Sequence, residues 1–204
     1  SISPVNESVP DNPLTTFAIN KLTAERYLEY YSREFDLKTV ALRLPNVYGP
    51  VPDPEVATRV VLNLIVRRAV MGGPLTLFSN QSCIRDYGFI NDVLSAFLMA
   101  GTSRDAESGQ QFVIGSGEGW RIADAINLIA DRTALRIGLR PAVQQNTDEH
   151  LEAVEWRNFI ADTSCFSRAT GWSHNTSLVE GIDRTVGYFL DAMPERNVNE
   201  AGLY

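Results

Sequence analysis

Apolar residues recur along this chain in two patterns, helical stripes and short unbroken runs, and their alternation predicts the elements. Ala24, Tyr27, Leu28, Tyr31 and Phe35 share one stripe, so residues 15–35 are expected to be a helix. Residues 39–44 form a short apolar strand that stops at Pro45-Asn46-Val47-Tyr48-Gly49-Pro50, where Pro and Gly mark a loop. Residues 56–71 read as a second helix, closed by Gly72-Gly73. Residues 75–78 are a strand candidate, and Asn91 or Asp92 is expected to cap a helix running to about residue 100. Residues 111–115 are another strand, and Ile122, Ala125, Ile126 and Ile129 define an amphipathic helix. Asp162 is expected to cap a short helix ending at Gly171-Trp172. Leu178, Ile182, Val186 and Phe189 line the last helix. The polar residues 1–13 read as loop, and those after Pro194 as a mobile tail. Strand and helix alternate, so the class is α/β.

Composition narrows this picture in a few places. With 204 residues, 44% of them hydrophobic, the chain can bury a substantial core in one or two domains. A net charge of −7 speaks against wholesale nucleic-acid binding. Cys83 and Cys165 fit no metal spacing and suggest a reducing cytoplasm. No run approaches the ~18 apolar residues of a membrane span. His150 and His174 have no partner motif and read as surface residues, so no metal site is expected.

Candidate chemistry concentrates at Phe17 and Lys21. A spacing of four places both side chains on one face of the predicted helix. This F-x-x-x-K helix is followed by L-R-L-P-N-V-Y-G-P, then P-L-T-L-F, R-D-Y-G-F-I-N-D-V, and A-D-T-S ending in G-W. Together, from about Pro10 to Leu190, these blocks resemble the extended short-chain dehydrogenases, and within them the nucleotide-sugar epimerase/dehydratase branch.

The resemblance implies a partial Rossmann-like parallel sheet plus a smaller α/β substrate-binding domain. Residues 1–50 would be the remainder of the NAD-binding domain. Residues 51–193 would be mainly the sugar-nucleotide region, with segments returning to the Rossmann part, and 194–204 a tail. It also implies that position 17 is where the family's tyrosine exchanges a proton with a substrate hydroxyl, while Lys21 holds the nicotinamide ribose. Phenylalanine fills that slot without an ionisable group. Phe17 reads as a native replacement, as an introduced Tyr→Phe change, or as a plain core aromatic. Backbone near Leu44, Pro45 and Val47 would meet the nicotinamide, with NAD expected rather than NADP.

For the substrate, the resemblance implies Asn46 and Arg85 at the diphosphate, Arg157 as a second phosphate or ribose contact, and Leu75 and Phe78 beside the base. Each has a structural counterpart: a turn for Asn46, an ion pair with Asp86 for Arg85, core packing for Phe78. Ser79-Asn80-Gln81 departs from the glycine that usually follows this strand. Arg43 is expected to brace the core. The implied activity is NAD-dependent modification of a nucleotide-diphospho-sugar through a 4-keto intermediate, of 4-epimerase or 4,6-dehydratase type. The alternatives are an inactive dehydrogenase-like binder of NAD or nucleotide-sugar, and a reductase of a non-nucleotide carbonyl.

The glycine-rich loop of a Rossmann half does not occur in these residues. At roughly 30 residues per βαβ unit, about a hundred upstream residues are expected to complete the cofactor domain. Without them the first helix would leave its apolar stripe uncovered, and a homodimer is the expected assembly.

Overall fold

The computed structural model describes residues 3–53, 56, 59–103, 108–146 and 150–192. The tail expected after Pro194 lies outside them. Helix α1 (Thr16–Phe35) opens where the Thr15 hydroxyl accepts the Ala18 N–H at 3.1 Å, and it closes on Asp36 in the left-handed region. Strand β1 (Val40–Arg43) follows. The segment expected to be a loop then begins as a strand, β2 (Asn46–Tyr48). Three residues are too few to show a period, and their pairing with a distant strand makes the element.

Next come α2 (Val61–Val70), β3 (Leu75–Leu77), β4 (Ile84–Arg85) and β5 (Tyr87–Phe89). Helix α3 (Ile90–Thr102) has Phe89 as its N-cap, so neither Asn91 nor Asp92 caps it. Asp92 instead sits in the first turn, buried, and accepts the Thr176 N–H at 3.1 Å. After these lie β6 (Gln110–Val113), β7 (Trp120–Arg121), α4 (Ile122–Ile137) and β8 (Val143–Gln145). A 3-10 turn (Ala153–Trp156) precedes α5 (Ser164–Thr170) and α6 (Leu178–Ala192). Thr163 is the N-cap of α5, while Asp162, one position earlier than a cap, accepts the Ser164 N–H at 3.0 Å.

The strands pair two by two. β1 with β6, β2 with β5 and β3 with β8 are parallel, and β4 with β7 is antiparallel. The fold is thus α/β with parallel pairing, as the alternation predicts. Two apolar clusters fill it. The larger joins β3 and β5 to the inner faces of α2, α4 and α6, with Val66, Ile129, Ile182, Val186 and Phe189 fully buried. Burying each such side chain is worth roughly 1.5–3 kcal/mol. The smaller sets Val93 and Ala96 of α3 against Phe112, Ile114, Phe166 and Trp172, with Val40 and Leu42 at its margin.

Two contacts fix the turn after β2. Asn63, on the buried face of α2, accepts the Gly49 N–H and donates to the Gly49 carbonyl, both at 2.9 Å. Gly49 has φ +128°, and a Cβ there would meet Ile90 at 2.7 Å, so the turn needs glycine. Below it lies Tyr48, whose buried hydroxyl finds no hydrogen-bond partner among the described residues. Burial pushes that phenol above its ordinary range.

Gly181 of α6 makes room for the Tyr48 ring, because a Cβ there would lie 2.0 Å from the phenol oxygen. Alanine in a helix gains about 1 kcal/mol over glycine, but overpacking costs about 1–3 kcal/mol. Gly181→Ala is therefore expected to lower stability, read as a fall in the denaturant midpoint. A raised midpoint would mean that the Tyr48 ring moves aside freely.

Candidate active site

In parallel α/β pairs, ligands bind beyond the carboxyl ends of the strands. Here β1 ends at Arg43 and leads through Leu44 and Pro45 into Asn46, while β6 ends at Val113 and leads into Ile114-Gly115-Ser116-Gly117. Between them lies Asp86, fully buried between β4 and β5. Its Oδ1 accepts the Ser116 N–H and hydroxyl, both at 2.8 Å, and its Oδ2 accepts the N–H groups of Gly117 and Ala161, both at 3.0 Å. Its backbone carbonyl accepts the Asn46 N–H at 3.1 Å. One carboxylate therefore ties the loop after β6 to residue 161, and the backbone of the same residue reaches the start of β2.

Arg85 and Asp86 do not form the ion pair open to them as neighbours. Consecutive residues of an extended segment point to opposite faces, and Arg85 turns the other way. Its guanidinium donates to the carbonyls of Arg157, Glu155 (2.8 Å) and Ile84 (3.2 Å). Arg85 is buried, and it pins the 3-10 turn that carries Arg157, whose own side chain is exposed. Asn80 completes this attachment by donating to Glu155 O at 2.9 Å. Asn46 begins β2 with an exposed side chain, so it holds a strand rather than a turn.

Phe17 and Lys21 lie together on α1, with the Lys21 ammonium 5.3 Å from the centroid of the Phe17 ring. Phe17 is 70% exposed and packs in neither apolar cluster of this chain. The ring and the cation form an open aromatic–ammonium pair with no hydroxyl in it. Tyr48 and Tyr87 are buried phenols away from this pair, and burial raises both, Tyr87 up to about 12.

Leu75 is 1% exposed and packs in the larger cluster, so its side chain offers a ligand no surface. Phe78, half-buried just past β3, does offer one. Leu44 is exposed, and Pro45 and Val47 are half-buried. His174 is not a surface residue: its side chain is 13% exposed, with Nε2 3.2 Å from Asp92 Oδ2. His150 is exposed. Among the described residues no three His, Cys, Asp or Glu side chains group as metal ligands, and no helix is long and apolar enough to cross a membrane. A hollow of 310 Å³ beside Thr23, Arg26, Tyr27 and Tyr30, and a groove of 620 Å³ along α6, contain none of the candidate residues.

Residues 1–115 match the model of the NAD dependent epimerase/dehydratase family. The chain belongs to that family. A UDP-glucose 4-epimerase of Mycolicibacterium smegmatis is 32% identical over 187 residues, a match covering 91% of this chain and 56% of that protein. The structure of the Thermotoga maritima UDP-glucose 4-epimerase with UDP-glucose superposes with a TM-score of 0.81 at 28% identity, covering 95% of this chain and 59% of that one. That of the Thermus thermophilus UDP-glucose 4-epimerase complex with NAD gives 0.77 at 29% identity, covering 93% and 58%. The chain spans little more than half the length of the curated relatives it matches. Solved structures of Rossmann-fold epimerases thus share the fold described here, and the family is one of NAD-dependent enzymes.

Sequence reasoning missed Asp86 as an anchor, although strand alternation could have separated it from Arg85. Removing its carboxylate takes the partner from three backbone N–H groups, that of Ala161 in the interior and those of Ser116 and Gly117 nearer to solvent. Asp86→Ala is expected to cost about 1–3 kcal/mol, the penalty for one unsatisfied buried donor. Chemical denaturation measures it, and a loss below about 1 kcal/mol would remove Asp86 from its role as anchor.

Proposed function

We propose that the protein to which this chain belongs modifies a nucleotide-diphospho-sugar through a 4-keto intermediate, as a 4-epimerase or a 4,6-dehydratase. Position 17 would be the site of proton exchange. The observation that carries this reading is the pairing of Phe17 with Lys21 on an exposed face of α1, a ring and an ammonium with the phenol oxygen missing. Lys21 would hold the nicotinamide ribose, and the backbone of Leu44, Pro45 and Val47 would border the nicotinamide amide. These residues suit the nicotinamide end of the cofactor. The glycine-rich turn for its pyrophosphate is absent from the 204 residues. NAD, when bound, supplies the hydride acceptor.

The remaining roles belong to side chains. Arg85 and Arg157 would neutralise the diphosphate, for which a planar guanidinium is suited. Three guanidinium bonds to carbonyls hold Arg85 rigid, and five N–H donors leave it capacity for an anion. Asn46 would contact the phosphates from the start of β2, and Phe78 would offer a face to the base, with Leu75 supporting it from the core. Residues 1–50 and the smaller apolar cluster would be the remainder of the cofactor domain, and the larger cluster the core of the sugar-nucleotide part. The exposed Tyr27, Tyr31 and Phe35 on α1 support a partner surface there, completed by a Rossmann segment and by a second copy in a homodimer.

One observation favours a second reading. A phenyl ring at position 17 cannot accept or deliver a proton, so the chain as it stands would bind NAD or nucleotide-sugar without turning it over. Phe17→Tyr in the full-length protein separates the two. Turnover of a nucleotide sugar is expected to rise roughly 10²–10⁴-fold, the worth of general acid–base catalysis, with binding little changed because the ring is kept. A tyrosine variant as slow as the parent on UDP- and dTDP-sugars would favour the inactive binder.

Arg85→Ala is expected to weaken UDP or dTDP binding by about 1.5–3 kcal/mol, the range for hydrogen bonds to charged groups. Calorimetric titration measures it. Unchanged affinity with a lowered melting temperature would confine Arg85 to holding residues 155–157.

A further inference from the structure

Phe17, Lys21 and Glu25 follow one another on α1 at intervals of four. Each residue turns a helix by about 100°, so each interval rotates the position by only ~40° and the three share a face. No residue of α1 is fully buried among the described residues, and on its inner side Ala18 and Leu22 are only half-buried, so apolar packing within this chain holds the helix weakly. Polar contacts add to it. Towards its C-terminal end, Thr39 donates to Leu28 O at 3.2 Å, and the Ser32 and Ser108 hydroxyls meet at 2.7 Å.

Nearer to Phe17 and Lys21 the attachment runs through Arg43. Its Nε lies 3.0 Å from Glu25 Oε1 and its Nη2 2.6 Å from Glu25 Oε2, a bidentate pair. The same Nη2 lies 2.8 Å from Asp11 Oδ1 and 3.1 Å from Gln111 Oε1, and Asp11 also holds Arg26 at 3.1 Å. Arg43 is the last residue of β1. Its carbonyl accepts the Ile114 N–H at 3.1 Å, and Leu44, Pro45 and Asn46 follow directly.

We propose that Arg43 is a positioning residue: its fork on Glu25 sets the rotation of α1 and thereby aims the Phe17/Lys21 face relative to the Leu44–Asn46 segment. The proposal rests on the reading of Lys21 as the nicotinamide-ribose contact. An exposed ion pair would be worth too little for this role. Here the side chains of Arg43, Glu25 and Asp11 are only 24%, 18% and 24% exposed, and two acids meet one planar guanidinium. The Glu25 hydrogen bond raises the Arg43 pKa against the opposing effect of burial.

The test compares the full-length parent with Arg43→Leu, Arg43→Lys and Glu25→Gln by hydrogen exchange and by calorimetric titration with NAD and with UDP. Arg43→Leu is expected to speed exchange of the α1 amides roughly 10- to 100-fold, the equivalent of the charge-assisted bonds lost, while α4 and α6 keep their protection. NAD affinity is expected to fall about tenfold or more on the same grounds, with UDP affinity held. Arg43→Lys, which keeps the charge and loses the fork, should recover part of both effects.

Unchanged α1 exchange overturns the proposal, and so does protection lost equally from α1, α4 and α6, which is a merely structural role. If Arg43→Leu does not fold, Glu25→Gln carries the same comparison with the side-chain shape kept. If the parent binds no NAD, the reading of Lys21 falls. Exchange confined to α1 would then still uphold the clamp, and uniform exchange would overturn it.

Discussion

The buried carboxylate of Asp86 is the contact on which the arrangement of the strand pairs depends. β1–β6, β2–β5, β3–β8 and β4–β7 are separate two-stranded ladders, and among the described residues hydrogen bonds between strands do not join them into one sheet. Asp86 lies at the step from β4 to β5. It reaches the loop after β6 through Ser116 and Gly117, the α5 approach through Ala161, and β2 through its own carbonyl to Asn46. A charge so deeply buried would be costly without partners. Four donors from two segments, residues 116–117 and residue 161, converge on it, which turns that cost into a requirement that both sit in one arrangement against the step from β4 to β5.

Arg85 extends the same constraint in the opposite direction. Because alternation sends adjacent side chains to opposite faces, the pair Arg85-Asp86 grips two different segments. Asp86 holds the loop at 115–117, and Arg85 holds the turn at 155–157. The N-terminal loop joins this framework too. Val5 exchanges backbone hydrogen bonds with Ile160 (2.8 Å) and Asp162 (2.9 Å), and Glu7 accepts the Val113 N–H at 2.8 Å. Arg157, Asn46 and the segment after β1 are therefore mutually registered by polar contacts at strand ends. The apolar clusters lie behind them.

What the sequence revealed follows from the range of the forces involved. The Leu178, Ile182, Val186 and Phe189 stripe is legible because a long helix with one buried face repeats its signal four times, and all four residues are buried. The α/β class is legible for the same reason. β2 and β5 are not, because three-residue strands owe their existence to pairing across about forty positions. The start of α3 is misread because Asn91 and Asp92 are good capping residues locally, while the buried Phe89 and the demand for Asp92 at Thr176 shift the helix by two residues. His174 looks like a surface residue only until the segment before α6 lies against Asp92, which also accepts the N–H groups of Asn175 and Thr176. The family resemblance named Arg85, but only coordinates reveal that three of its donor contacts go to backbone carbonyls.

On the proposed reading, position 17 separates geometry from chemistry. A phenyl ring at position 17 keeps the volume and the face on which Lys21 rests, so the helix surface retains its shape. Compared with the tyrosine of the proposed reading it lacks one oxygen, and with it any exchangeable proton at that position. The lysine faces a ring quadrupole rather than a charged oxygen, and an exposed cation–π contact is worth only ~0.5–1 kcal/mol. Lys21 is therefore held weakly at its tip, and its placement depends on the rotation of α1 as a whole. That rotation is set one turn further along, where Glu25 meets Arg43. On the proposed reading, the orientation of the candidate site thus rests on an ion pair that touches neither the cofactor nor the sugar, while the position that would touch both carries a ring without a reactive group.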